Sequence, residues 1–154
     1  MVSFKEGDSI KNVWEDISGN KSESETNWLA LGYCGKEELE MIGSGTGGYA
    51  EFIKTLNDDD VVFAGFRIYG LDEDGERSRT KLVSVTYVPK NVKGLKKARV
   101  GPQRGQVLKQ FHGAHVDMEV GSAEELSKEA IIAKLANATG SHKPVGYDGW
   151  GDEE

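Results

Sequence analysis

The chain has 154 residues, which allows one sizeable hydrophobic core and predicts a single domain, because ordinary domains hold roughly 100 to 200 residues. Hydrophobic residues make up 37% and charged residues 29% of the composition, as is typical of globular proteins in water. No apolar run approaches the roughly 18 residues of a membrane-spanning helix, and the start MVSFKEGDSIK has no signal-peptide core. The lone Cys34 cannot form an internal disulfide, which fits a reducing compartment. We therefore expect a protein of the cytoplasm, with no transmembrane segment.

The charges are unevenly distributed along the chain. The net charge is −7, from 19 basic and 26 acidic residues, yet residues 77–109 contain ten Lys or Arg and no Asp or Glu. Clustering like charges costs self-repulsion, so an electrostatic binding face for an acidic partner is the first hypothesis and chance is the second. The negative charge of the remainder argues against nucleic acid as that partner, because phosphates would be repelled.

Hydrophobic periodicity predicts elements in the order α-β-β-α-β-β-α-β-α, without an internal repeat. From Thr139 onward the chain is Gly-rich and acidic with no periodic pattern, so residues 140–154 are predicted to form a flexible acidic tail. Helices are predicted over residues 9–18, 49–56, 92–112 (kinked or divided at Gly101-Pro102) and, behind a capping box at 122–125, through Leu135; strands are predicted over 27–33, 38–42, 61–69, 82–88 and 116–120.

The motifs that could carry catalysis or metal binding are weak. Residues 43–48, GSGTGG, match G-x-G-x-x-G between a predicted strand and helix, as in dinucleotide sites, but the strand ELEMI alternates with Glu and is already a hairpin partner. Asp72 and Asp74 lack the ligand spacing of a calcium loop, and His112 and His115 have no further ligands at metal-site spacing. No Ser-His-Asp or Cys-His arrangement is readable. We predict no metal, no cofactor and no enzymatic activity, with a dinucleotide-dependent enzyme as the least favoured alternative.

The basic stretch has a geometry that favours binding. At 100° per residue, a helix from Val92 groups three lysines with Val100 on one face, while Val92, Leu95 and Ala98 point toward the sheet. An ordinary solvated helix face is the alternative. We predict that basic residues of the hairpin and of the helix converge into one solvent-facing cluster, formed by Arg77, Arg79 and Lys81 with Lys93, Lys96 and Lys97.

Residues 79–101, RTKLVSVTYVPKNVKGLKKARVG, resemble the coactosin pattern within the actin-depolymerising-factor homology (ADF/cofilin) family. The similarity runs from about Ile10 to Gly140 and includes TNWLALGY, YAEFIKTLNDDDVVFAGFRI and SAEELSKEAI. The resemblance implies an α+β fold of the α/β/α sandwich type, in which a central mixed sheet of five to six strands is flanked by helices on both faces. It also makes residues 1–139 the ADF-homology domain.

The resemblance implies a non-enzymatic, monomeric actin-binding protein of the actin cytoskeleton, which binds filament sides in preference to monomers and without strong severing or depolymerisation. Two alternatives use the same face: a cofilin-like monomer binder or depolymerising regulator, and a module for anionic phosphoinositides. The actin-binding residues that the resemblance implies are Lys81, Lys96 and Lys97, extended by Lys93, Arg99, Arg79 and Arg77.

The sequence departs from the family pattern at several positions. Pro102 and Gly105 interrupt the long helix, and the last helix has Ala136 and Asn137 where related proteins have lysines. Ser3 is similar in position to an amino-terminal serine that is phosphorylated in depolymerising relatives.

Overall fold

The computed structural model describes residues 2–19, 26–138 and 144–151, which contain seven strands and four α-helices. Nine of these elements follow the predicted order, and the short strands β1 and β7 are additional. The strands are β1 (Ser3–Phe4), β2 (Trp28–Tyr33), β3 (Glu38–Gly45), β4 (Val62–Leu71), β5 (Arg77–Tyr87), β6 (Val116–Val120) and β7 (Gly146–Asp148). The helices are α1 (Gly7–Ser18), α2 (Gly48–Ile53), α3 (Leu95–Leu108) and α4 (Lys128–Ala138), with 3-10 turns at Lys109–Phe111 and Glu124–Leu126.

The strands form one mixed sheet in the order β1-β3-β2-β4-β5-β6, with β7 added to the far end of β4. The pairs β2–β3, β2–β4, β4–β5 and β4–β7 are antiparallel, whereas β1–β3 and β5–β6 are parallel. The predicted mixed sheet flanked by helices is therefore confirmed. No helix in the described ranges is long and apolar enough to cross a membrane.

Helices cover both faces of the sheet, and each face has its own hydrophobic core. Alternate residues of β4, such as Phe66 and Ile68, pack with α2 and α4, while Phe63 packs with α1, α3 and the turn after α3. Burial on both faces explains why β4 is almost wholly apolar in sequence, since neither set of alternating side chains meets water. The two faces are called the α2/α4 face and the α1/α3 face below.

Helix α3 is continuous, and the predicted division at Gly101-Pro102 is wrong. Proline has no N–H, so Pro102 leaves the carbonyl of Ala98, four residues earlier, without its helical partner. Both residues are exposed, which lets water hydrate that carbonyl. The helix therefore accommodates Pro102 because the lost bond lies on its solvent side.

The capping box at residues 122–125 opens a 3-10 turn instead of the last helix. The Glu125 N–H lies 3.4 Å from Ser122 Oγ, and the Glu125 carboxylate accepts the Gly121 N–H at 2.6 Å. Helix α4 begins only at Lys128, where Ser127 Oγ accepts the N–H of Ala130 at 3.2 Å. Ser127 is therefore the capping residue of α4.

Residues 144–151, which we call the C-terminal strap, differ from the flexible tail predicted for residues 140–154. The strap forms β7 on β4 and buries Trp150 to 8% exposure. Residues 140–143 and 152–154 of that predicted tail lie outside the described residues. A three-residue strand produces no readable periodicity, so only the tertiary pairing with β4 reveals it.

Candidate functional site

Helix α3 presents a ridge of small and apolar residues to solvent. Leu95, at its first turn, is 78% exposed, whereas Val100 and Val107 on the opposite side are buried. Residues at the spacing 95, 98, 102 and 105 share one helical face. We call this face the α3 ridge, and its exposed members are Leu95, Ala98, Pro102 and Gly105.

The phase of α3 differs from the prediction. Val92 is buried as expected, but Val100, predicted beside the lysines, is 2% exposed, and Leu95 and Ala98, predicted to dock on the sheet, face solvent. Pro102 was the readable signal for the correct phase, because a helical proline and the residue four positions before it are best placed toward water. The exposed Leu95 is the feature that periodicity alone missed.

Lysines flank the start of the α3 ridge. Lys93, Lys96 and Lys97 are exposed, and Arg99 is half-buried. At 100° per residue, Lys96 lies about 100° and Lys97 about 160° around the helix from Leu95, in opposite directions. Three of the seven predicted binding residues thus lie in the first turns of α3, and Lys93 lies two residues before the helix begins.

Three polar side chains fix α3 against the rest of the protein. Gln103 accepts a hydrogen bond from the Tyr33 hydroxyl at 2.7 Å and donates to the Lys36 carbonyl at 3.3 Å. Gln106 accepts the Val2 N–H at 3.0 Å. On the other flank, Arg104 pairs with the Asp117 carboxylate and donates to the Thr86 hydroxyl at 3.1 Å. Arg104 therefore positions the helix and does not belong to its free cationic surface.

A cleft of about 600 Å³ lies between α3 and the β2–β3 hairpin. Lys96 and Arg99 line it from the helix, and Lys36 lines it from the hairpin turn. Burial raises the pKa of Tyr33 on the same wall, against the opposing influence of Arg99. Sequence reasoning did not select Lys36, because only the folded hairpin brings it to α3. Two acidic and six further residues complete the lining: Asp59, Asp60, Gly32, Cys34, Gly35, Ile42, Val61 and Val92.

Lys81 lies away from this cluster. It pairs in register with Ile68, so its side chain projects onto the α2/α4 face, whereas α3 covers the other face. It is only 5% exposed, and burial, followed by the nearby charge of Arg79, lowers its pKa. The prediction that Lys81 joins the α3 lysines in one solvent-facing cluster is therefore wrong. Alternation along β5 carried the signal, because Val83, Val85 and Tyr87 continue the same buried row.

Arg77 and Arg79 are exposed at the far end of the β4–β5 hairpin. Arg77 begins β5, and Tyr87 ends it on the side that leads toward α3. The ten residues between these two positions span about 33 Å of extended strand. Its Nε lies 2.9 Å from Asp148 Oδ1 in the C-terminal strap, and its guanidinium lies 4.1 Å from the centroid of the Tyr69 ring. The structure therefore has two separate basic regions instead of one.

The glycine cluster at residues 43–48 forms the end of β3 and the start of α2. Its β3 part pairs antiparallel with β2. The C-terminal strap lies directly against it, and Trp150 O accepts the Ala50 N–H at 2.7 Å. The position that a dinucleotide pyrophosphate would take at this helix start is thus occupied by backbone. In the described part of the chain, no three His, Cys, Asp or Glu side chains are arranged to hold a metal ion.

Comparison with known proteins gives one consistent family. Coactosin of Dictyostelium discoideum is 25% identical over 133 residues, which cover 86% of this chain and 88% of that one. Human coactosin-like protein superposes with a TM-score of 0.75 at 20% identity, covering 89% of this chain and 99% of that one. Mouse coactosin, described as an actin filament binding protein, superposes with a TM-score of 0.69 at 21% identity, over 91% and 94% of the two chains. Residues 3–136 match the family of cofilin/tropomyosin-type actin-binding proteins, and the chain belongs to that family.

Proposed function

We propose that this protein is a non-enzymatic actin-filament-binding protein of the cytoplasmic actin cytoskeleton, which acts as a monomer through the α3 ridge and its flanking lysines. The observation that carries the proposal is that Leu95 is 78% exposed at the start of α3, where Lys93, Lys96 and Lys97 are also exposed. A helix start that exposes both an apolar side chain and cations suits a groove with an acidic rim on actin. Membership of an actin-binding family supports actin as the partner.

The ridge and the lysines contribute differently to binding. Burying a leucine side chain contributes about 1.5–3 kcal/mol, whereas an exposed rim charge contributes only about 0–1 kcal/mol and acts mainly on orientation and association rate. The hydrogen bonds of Gln103, Arg104 and Gln106 hold α3 in place before it meets a partner. A helix already in position loses less conformational freedom on binding.

We propose filaments over monomers as the partner, without strong severing or depolymerisation. The similarity to mouse coactosin, described as an actin filament binding protein, supports this preference. The separation of the basic regions supports it as well, because the hairpin end, with Arg77, Arg79 and Lys81, could form a second contact at a distance from α3. A polymer offers two subunit surfaces at such a separation, while a monomer offers one.

Co-sedimentation tests the primary contact. The double variant Lys96→Glu/Lys97→Glu should lose filament pelleting while its thermal midpoint stays unchanged, because both side chains are exposed. Pelleting of the unmodified protein should weaken as salt rises, since exposed charges are screened. The matched control is Lys11→Glu/Lys54→Glu, which reverses the same charge on exposed residues outside α3 and should pellet normally. Normal pelleting of the Lys96/Lys97 variant would remove the proposed contact.

Monomer sequestration, measured in parallel, separates filament binding from the cofilin-like alternative. A protein that sequesters monomers and lowers the mass of sedimented actin would be a depolymerising regulator, and the proposed filament preference would fail.

A second candidate function is binding of anionic phosphoinositide headgroups, favoured by one observation. Lys36, Lys96 and Arg99 line the same cleft beside α3. These three cations outnumber Asp59 and Asp60 in the same lining, and a net positive cleft attracts anionic lipid surfaces. Flotation with liposomes should then depend on the anionic lipid and be lost in Lys36→Glu. Flotation that is absent, or equal with neutral lipid, would exclude this function.

A further inference from the structure

The C-terminal strap lies beyond the residues that match the family, which end at 136. It pairs antiparallel with β4, where Tyr69, Gly70 and Leu71 face Asp148, Tyr147 and Gly146. Within the described residues, β2 pairs with β4 only over Val62–Phe66, so the strap occupies the part of the β4 edge that β2 leaves open. An open edge of this kind is a ready acceptor for another strand.

Trp150 anchors the other end of the strap. It is 8% exposed and meets the Tyr49 ring edge-to-face, with a centroid distance of 5.3 Å. Its carbonyl accepts the Ala50 N–H at 2.7 Å, and its indole N–H donates to the Tyr147 carbonyl at 3.2 Å. Lys128 Nζ lies 5.6 Å from the ring centroid. Buried aromatic contacts and satisfied polar groups make this a specific docking site.

The glycines of the strap and of the loop before α2 fit one another. Gly48 has a φ of 65°, and a side chain there would place its Cβ 2.9 Å from the Gly149 carbonyl. A side chain on Gly151, whose φ is 102°, would collide with the Gly47 carbonyl. Glycine at both sides lets two backbones approach closely. The glycine cluster that resembles a nucleotide loop is therefore the receptor for this chain's own C-terminal segment.

The strap lies along the basic end of the β4–β5 hairpin. Asp148 neutralises Arg77 through contacts of 2.9 and 3.2 Å from Nε to its two carboxylate oxygens. Pro144 packs against Gly70, where an added Cβ would lie 2.7 Å from Pro144 Cγ and 3.8 Å from Lys81 Cε. Lys81 is only 5% exposed. A side chain buried to this extent presents little of its amine to a partner surface while its neighbours stay in place.

We infer that the C-terminal strap is an autoinhibitory cover, which must leave the β4 edge before Lys81 can contact an acidic protein surface and before Arg77 can exchange Asp148 for that surface. The inference rests on the proposed function, in which the hairpin end is a second contact for actin filaments. The closed strap and the bound filament then compete for the same two cations. If the strap is open in about one molecule in ten, it lowers the apparent affinity of that contact about tenfold.

The test combines amine labelling with co-sedimentation. In the protein without actin, an amine-reactive ester should modify Lys81 far more slowly than the exposed Lys96, as peptide mass spectrometry can measure. Trp150→Ala should release the strap, raise labelling of Lys81 about tenfold and raise filament affinity by a similar factor. Asp148→Asn, at a partly exposed carboxylate, should raise filament affinity by a smaller factor without endangering the fold.

Three controls distinguish release of the strap from a general loss of negative charge and from unfolding of the variant. Trp150→Phe retains an aromatic ring and should behave as the unmodified protein. The double variant Asp8→Asn/Glu15→Gln removes acidic charge from exposed residues of α1, outside the strap, and should leave Lys81 labelling unchanged. Circular dichroism shows whether Trp150→Ala remains folded. If that variant unfolds, two other results decide the inference: the labelling rates of Lys81 and Lys96 in the unmodified protein, and the filament affinity of Asp148→Asn.

The outcomes for the strap and for the proposed function are distinct. Labelling of Lys81 as fast as Lys96 in the unmodified protein overturns the cover. Faster labelling of Lys81 in Trp150→Ala without stronger pelleting with filaments overturns the regulatory role of the strap. The proposed function stays intact in that case if pelleting still depends on Lys96 and Lys97. Absence of pelleting by every variant overturns the proposed function, and the regulatory role with it.

Discussion

Lys81 brings a cationic amine into the covered face of the sheet. Its aliphatic chain packs beside Gly70 and Ile68, and burial lowers the pKa of its amine. Burial disfavours the charged form of a side chain, so an apolar side chain of similar volume suits such a site at least as well. At the residue scale, Lys81 therefore costs stability that a role in binding would explain.

We predict that Lys81→Met raises the free energy of unfolding at neutral pH by about 1 kcal/mol and weakens filament binding. The folded protein releases the Lys81 proton at lower pH than the unfolded chain does. Between those two pKa values the unfolded state binds more protons, so the stability of the unmodified protein rises with pH toward that of the variant. Urea unfolding at neutral and alkaline pH measures this difference. A destabilised variant would show that the charge of Lys81 supports the fold.

At the scale of elements, the position of α3 depends on its link to the sheet. Arg104 reaches Asp117 on β6 and Thr86 on β5, and Ser84 Oγ donates to the same Asp117 at 3.0 Å. These groups are partly buried between helix and sheet, where charge-assisted hydrogen bonds contribute more than at an open surface. The network therefore fixes the angle at which the α3 ridge is presented.

We predict that Arg104→Met and Asp117→Asn each lower the free energy of unfolding by about 1–3 kcal/mol. A double-mutant cycle should give a coupling energy of about 1 kcal/mol or more, since each residue is the other's charged partner. Thermal or urea unfolding of the four proteins measures it. Additive effects would mean that the pair does not hold α3 to the sheet.

The longer elements could be predicted from sequence, and the reasons are physical. The apolar spacing of Ile10, Trp14 and Ile17 predicts α1, and the apolar run of β4 predicts a central strand, because burial of these faces dominates the choice of local structure. The phase of α3 could not be read from its lysines, since exposed Leu95 weakens its amphipathic pattern. The strap was unreadable because pairing with β4 and the Trp150 pocket determine its structure, and both are distant in sequence.

At the scale of the whole molecule, charge is separated into two basic regions on a chain of net charge −7. The unbroken basic run of residues 77–109 predicted one electrostatic face, but this linear stretch folds onto both ends of β5 and onto both faces of the sheet. Linear clustering therefore did not predict how the basic residues are distributed over the surface. The first region lies at the start of α3, and the second lies beside the C-terminal strap.

Amine footprinting of the filament-bound protein locates the contact surface without any mutation. We predict that filaments protect Lys93, Lys96 and Lys97 from an amine-reactive ester, while the exposed Lys11 and Lys54 label as in the free protein. If these three lysines label unchanged in protein that pellets with filaments, the surface that binds filaments lies elsewhere than at the start of α3.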